Sequence, residues 1–230
     1  MLILLRTTGL LLIATLCAMA MPLAAATPSQ TLTEAAFQTR DKGQALALIA
    51  EADRGAAALV TANPRNHEAI LVRAMALGYR AKLTRSRSDA LAARKQFEHL
   101  AAADPRDADA VICVGTWHLD SIVDLGGFLA GISIGAKKPI GFVVTDRAVV
   151  LGGNRAMYPG LAALLRLSID PDDARGRALA QIASIGAVQN PLDRIFQRSA
   201  VAILVSLKAG DGDATKRLAR QLLPFGRLAR

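Results

Sequence analysis

The residues best placed to do chemistry are an indole and two carboxylates, Trp117, Asp120 and Asp124, with two tyrosines, Tyr79 and Tyr158, elsewhere in the chain. Offsets of three and seven residues put Trp117, Asp120 and Asp124 on one face of a helix. Asp120 and Asp124 stand one turn apart, where like charges repel by about 0.2–0.5 kcal/mol unless a cation or solvent relieves them. A groove wall carrying an indole beside carboxylates can hold a cationic or polar ligand. The competing reading makes Trp117 a core anchor and the aspartates a solvated edge. His118, on the apolar line with Val114, reads as a hydrogen-bonded core histidine.

Nothing comparable points to catalysis. The three histidines, His67, His99 and His118, form no H-E-x-x-H motif, and Glu68 points to a different helix face from His67. There is no phosphate-binding glycine loop of either common type. Gly131-Ile132-Ser133-Ile134-Gly135 matches G-x-S-x-G, but that motif needs a strand before it and a histidine after it, and no histidine follows Ser133. Of the two cysteines, Cys17 lies in the apolar N-terminal stretch and Cys113 sits among Val111, Ile112 and Val114. A buried, inert thiol is expected there, with no cysteine–histidine set for zinc. No enzyme activity, metal or cofactor is expected.

The elements that would position these residues are helices. Hydrophobic residues make up 52% of the 230-residue chain but aromatics only 4%, so the apolar content is mainly Ala, Leu, Val and Ile, which favours helix over β-sandwich. Apolar stripes at helical spacing run through Ile70, Ala74, Leu77 and Ala81, then Ala90, Ala93, Phe97 and Leu100. Val111, Val114, His118 and Ile122 form the next stripe, with Trp117 on an adjacent line. Tyr158, Leu161, Leu164 and Leu165 follow, then Ala178, Ile182 and Ile185. Ile195, Phe196, Ile203, Leu204 and Leu207 define another helix, and Ala214, Leu218 and Leu222 a short last one. The turns repeat as well. Ala62-Asn63-Pro64-Arg65-Asn66 is echoed by Ala103-Asp104-Pro105-Arg106-Asp107, with Asn66 and Asp107 as helix caps. Asp170-Pro171 and Asn190-Pro191 continue the chemistry, with Pro suited to the first helical position. An all-α array of about nine helices, arranged as antiparallel hairpins, is the expected fold.

Residues 1–26 have the order of an export signal: Arg6, an apolar run, Pro22 and Ala24-Ala25-Ala26. Cleavage after Ala26 is expected, leaving residues 27–230 as one domain in the periplasm; the alternative is an uncleaved anchor. The net charge of +9 drops by one when Arg6 leaves. Its basic stretches, Arg80–Lys95 and the tail 210–230, read as solvated helix faces or as contacts for anionic headgroups or an acidic partner. Nucleic acid does not fit an exported protein.

Ala93-x3-Phe97-x7-Pro105 has the second-helix spacing of a tetratricopeptide repeat, which the chain therefore resembles. Ala52 and Pro64 repeat the ends of that spacing, with Ala56 where the aromatic would stand. Pro64 and Pro105 are 41 residues apart, against the usual 34, and seven extra residues lengthen a hairpin by about two turns. Val114-Gly115-Thr116-Trp117-His118-Leu119, a Gly-rich apolar segment, Tyr158-x5-Leu164-Leu165 and Asp170-Pro171 follow one another across roughly residues 45–207. That order resembles exported proteobacterial proteins such as the T component of tripartite periplasmic transporters, and the helical domain of the regulator-of-microtubule-dynamics family. The resemblance implies a helical scaffold without catalytic activity. Residues 126–153 depart from a simple array. Their glycines and apolar residues read as a helix running on from Asp107, a turn near Gly135 and a returning helix, or else as an apolar lining or lid.

These observations suggest an exported scaffold that binds a protein partner or small ligand on a concave face, as a transporter accessory would. Trp117, Asp120, Asp124, Tyr79 and Tyr158 are expected to line that face. A membrane-peripheral structural protein, held by the apolar segment 126–150 and the basic tail, is the alternative.

Overall fold

A computed structural model of the chain describes residues 26–228, which are all-helical. The export-signal reading falls almost wholly on residues outside that range. Eleven helices are described: α1 (Pro28–Phe37), α2 (Lys42–Ala62), α3 (His67–Thr84), α4 (Arg87–Ala103), α5 (Ala108–Leu125), α6 (Gly127–Ile134), α7 (Lys138–Leu151), α8 (Met157–Ile169), α9 (Ala174–Ser184), α10 (Pro191–Ala209) and α11 (Gly212–Leu222). Two causes raise the count above nine. Thr27 caps a first helix through a capping box, and the helix expected to continue past Leu125 is cut at Gly126, whose φ of +80° no helix tolerates.

The Asx-Pro turns are one structure used three times. Asn63, Asp104 and Asp170 each accept, through the side chain, the backbone N–H two residues on, at 3.0, 2.9 and 3.0 Å. Each also accepts, through its carbonyl, the N–H of the residue that caps the next helix: Asn66, Asp107 and Asp173. Pro171 therefore lies in the turn and not at a first helical position, whereas Pro191 opens α10 as Pro28 opens α1.

Most helices pack chiefly on a chain neighbour, but α5 and α7 rest mainly on each other and α11 mainly on α8. Further contacts link α1 to α3, α3 to α5, α5 to α8, and α8 to α10. The α5–α7 approach depends on Gly115 and Gly141. A Cβ at Gly115 would stand 2.8 Å from the Thr145 backbone nitrogen, and one at Gly141 2.5 Å from Leu119 Cγ. Helix α8 is apolar nearly all round and buried along almost its whole length, as expected for a helix surrounded by α5, α7, α9, α10 and α11. On α9 the buried line is Gly176, Leu179, Ala180 and Ala183. Ile182 and Ile185, expected in the core, are exposed. The small residues win because they let α9 lie close on α8, where a Cβ at Gly176 would already touch Leu167 at 3.0 Å.

The two ends of the described residues meet. Phe37 of α1 packs edge-on to Phe196 of α10, with ring centroids 5.5 Å apart. After α11, Phe225 donates its backbone N–H to the Ala36 carbonyl at 2.8 Å and stacks edge-on against Tyr79 at 4.9 Å.

Candidate functional site

Where those ends meet, they help enclose a cavity of about 310 Å³. Its walls come from alternate elements: α1, α3, α5, α8 and α10, with Phe97 from α4 and Pro224 from the C-terminal segment. Most of the lining is apolar, from Leu32, Phe37, Leu71, Met75, Ile112 and Leu161 among others. On α5 the facing residues are Asp109, Ile112, Cys113, Thr116, Trp117 and Asp120, a stripe at 3.6-residue spacing. On α3 they include Met75, Gly78, Tyr79 and Lys82.

One charged group sits by Trp117. Lys82 Nζ lies 2.7 Å from both carboxylate oxygens of Asp120 and 3.3 Å from Asp124 Oδ2, with all three side chains largely buried. The cation that relieves the Asp120–Asp124 repulsion is thus a lysine from the neighbouring α3. Burial pulls the Lys82 ammonium down, but the two carboxylates outweigh it and hold the group above its ordinary value. Burial also raises Asp120, helped by Asp124 and opposed by Lys82. Trp117 is fixed from α4: its indole N–H donates to the Ala90 carbonyl at 2.9 Å, and the Arg94 guanidinium lies 5.1 Å from its ring centroid.

A second charged group is built around the turn before α8. Asp193, fully buried at the start of α10, accepts from Arg155 Nε at 3.3 Å and from the backbone N–H groups of Met157, Gln189 and Asn190. Arg155 also donates to the Tyr158 hydroxyl at 3.2 Å, which itself donates to Asp109 Oδ1 at 2.8 Å. Burial, then Asp109, push the Tyr158 phenol up, so it remains a donor.

No protein-family model, curated protein or solved structure matches this chain. The site's own geometry defines it. Trp117, Asp120 and Tyr79 all line the cavity, and Asp124 stands behind them on Lys82. Tyr158 is buried in the wall and reaches the cavity only through Asp109 and Arg155, which do line it. Tyr79 owes its raised phenol mainly to burial, with Cys113 and Asp120 adding to it.

Three participants escape the sequence reading: Lys82, Arg155 and Asp109. Lys82 looks like part of a solvated basic stretch, although it continues the α3 line of Met75 and Tyr79. That line carries a second apolar face beside the Ala74 stripe. For Arg155 and Asp109 the deciding partners, Asp193 and Tyr158, lie 38 and 49 residues away, beyond any local signal. The Thr116 hydroxyl lines the cavity, is buried, and has no hydrogen-bond partner among the described residues. The Cys113 thiol is pushed up by burial and by Asp109 and Asp107, which opposes thiolate formation. His118 is a core group. Its Nδ1 accepts the Lys137 N–H at 3.2 Å, and burial, then Arg94, bring its pKa down to about 4.

Proposed function

We propose that this is an exported, tetratricopeptide-like array of antiparallel helical hairpins that binds a small ligand in its central cavity, as an accessory to solute uptake and without catalysis. The five hairpins of this reading are α1/α2, α3/α4, α5/α7, α8/α9 and α10/α11. The first member of each faces the cavity, and successive first members touch. The thrice-used Asx-Pro turn supports the repeat reading.

The observation that carries the ligand reading is the partly open cavity, whose volume lies at the lower end of the range for small-molecule sites. An open concave face would suit a protein partner. Here the contacts of α1 with α10 and with Phe225 narrow the face, which favours a small ligand over a protein chain. Among the charged lining residues, Glu68, Asp109 and Asp120 outnumber Lys82 and Arg155, and both cations already have carboxylate partners. The fitting ligand has an apolar body and a cationic or hydrogen-bond-donating head. Its donor would find Asp120 and the free acceptor capacity of the Thr116 hydroxyl.

Trp117 is the only tryptophan, so energy transfer from it reads the cavity directly. N-phenyl-1-naphthylamine should bind saturably, and octylammonium should displace it at least about tenfold better than octanoate. Cys113→Phe, which fills the cavity, should abolish probe binding while leaving the helical circular dichroism unchanged. Equal probe binding by that folded variant would place the site elsewhere.

A further inference from the structure

Helix α6 is apolar apart from Ser133, yet only one side is covered. Ala130 and Ile134 are buried against the neighbouring helices, whereas Phe128 is 78% exposed, Ile132 68% and Leu129 54%. A helix apolar all round belongs inside a protein or against lipid. Helix α7 extends the surface through Ile140 and Val143, the latter 70% exposed, after a 91° bend at residues 135–137. Among the described residues no single helix is long and apolar enough to cross a membrane, although α6 and α7 together are comparably apolar.

We propose that the bent α6–α7 pair is a monotopic docking surface for an anionic lipid bilayer. The charges decide between lipid and a second copy of the chain. Lys137 and Lys138 are both exposed at the bend, and residues 125–145 contain no acidic side chain. Arg87 lies alongside, donating from Nε to the Ser133 carbonyl at 2.7 Å. Cations flanking apolar side chains match acidic headgroups above acyl chains, and lysine stems can lie along apolar surface with the ammonium in the headgroup layer. A two-fold contact between copies would instead set like charges against each other. Gly126 and Gly135, both at positive φ, let α6 turn away from α5 and α7 so that its outer face stays clear. Phe128, Leu129 and Ile132 would enter the interface, and the cavity would be held beside the leaflet.

The test uses the whole chain carrying Phe128→Trp, in vesicles whose acyl chains are brominated. Bromine quenches only at short range, so fluorescence gained over wild type reports position 128 alone, whatever other part of the chain meets the membrane. Quenching by phosphatidylglycerol-containing vesicles is expected, and little by pure phosphatidylcholine. Adding Lys137→Gln and Lys138→Gln should raise the half-saturating anionic lipid roughly 30-fold, since each lysine near such a surface contributes about a fivefold effect. Three results would each overturn the proposal: unquenched fluorescence, a lysine variant that binds as the parent does, or a lipid-independent blue shift that grows with protein concentration. The last would mean that a second copy covers this face.

Discussion

At the scale of single residues, environment decides which polar groups are chemical and which are structural. His118 and Asp120 are two residues apart on α5, yet one is a neutral core acceptor and the other a carboxylate in a cavity wall. The pKa of His118 stands at about 4, against an ordinary 6.5. The folded state therefore binds fewer protons than the unfolded state between these values. Its contribution is complete above pH 6.5 and is lost as the pH falls toward 4. For so deeply buried a ring the loss is on the order of 3 kcal/mol. Denaturant unfolding across pH 7 to 4 should show it, and His118→Gln, which keeps an acceptor for the Lys137 N–H, should flatten the wild-type excess. An unchanged difference between the two proteins across that window would mean that His118 already titrates normally.

At the scale of elements, the helical packing rests on close approaches as much as on apolar area. The α5–α7 contact is one example, with backbone as well as side chain in the space that a Cβ at Gly115 would need. Backbone cannot swing aside as a side-chain tip can. Gly115→Ala should therefore destabilise the protein by about 1–3 kcal/mol, despite the better helix propensity of alanine. Chemical denaturation would measure this, and a stabilised variant would show that α5 and α7 are less closely apposed. At Gly78, on α3, the same substitution meets only ordinary contacts at 3.6 Å and serves as the control.

At the scale of the molecule, contacts between the first and last described elements help shape the cavity. Phe225 bridges the C-terminal segment to α1 through its backbone and to α3 through its ring, and it does so at a φ of +62°. A non-glycine residue there is held by its surroundings. Removing the ring should cost about 3 kcal/mol, since it is a buried aromatic, and should also open the cavity mouth. Phe225→Ala is therefore expected to lower both the thermal midpoint and the affinity for N-phenyl-1-naphthylamine. A loss of stability with unchanged probe affinity would separate closure from binding.

The sequence by itself determined what depends on residues within about one helical turn. The all-helical class, the Asn66, Asp107 and Asn190 caps, the Asx-Pro turns and most buried stripes belong here. So does the shared face of Trp117, Asp120 and Asp124, because offsets of three and seven are geometry internal to one helix. Tertiary structure alone decided what depends on which face meets which neighbour. Residue α3 Lys82 became the partner of two aspartates, Ile182 and Ile185 lost the core to smaller residues, and α6 kept an apolar face outward. A helix with two apolar faces carries no local mark of which one will be covered. That choice follows from how closely backbones can approach and from where the first and last described elements meet, and both are properties of the packed whole.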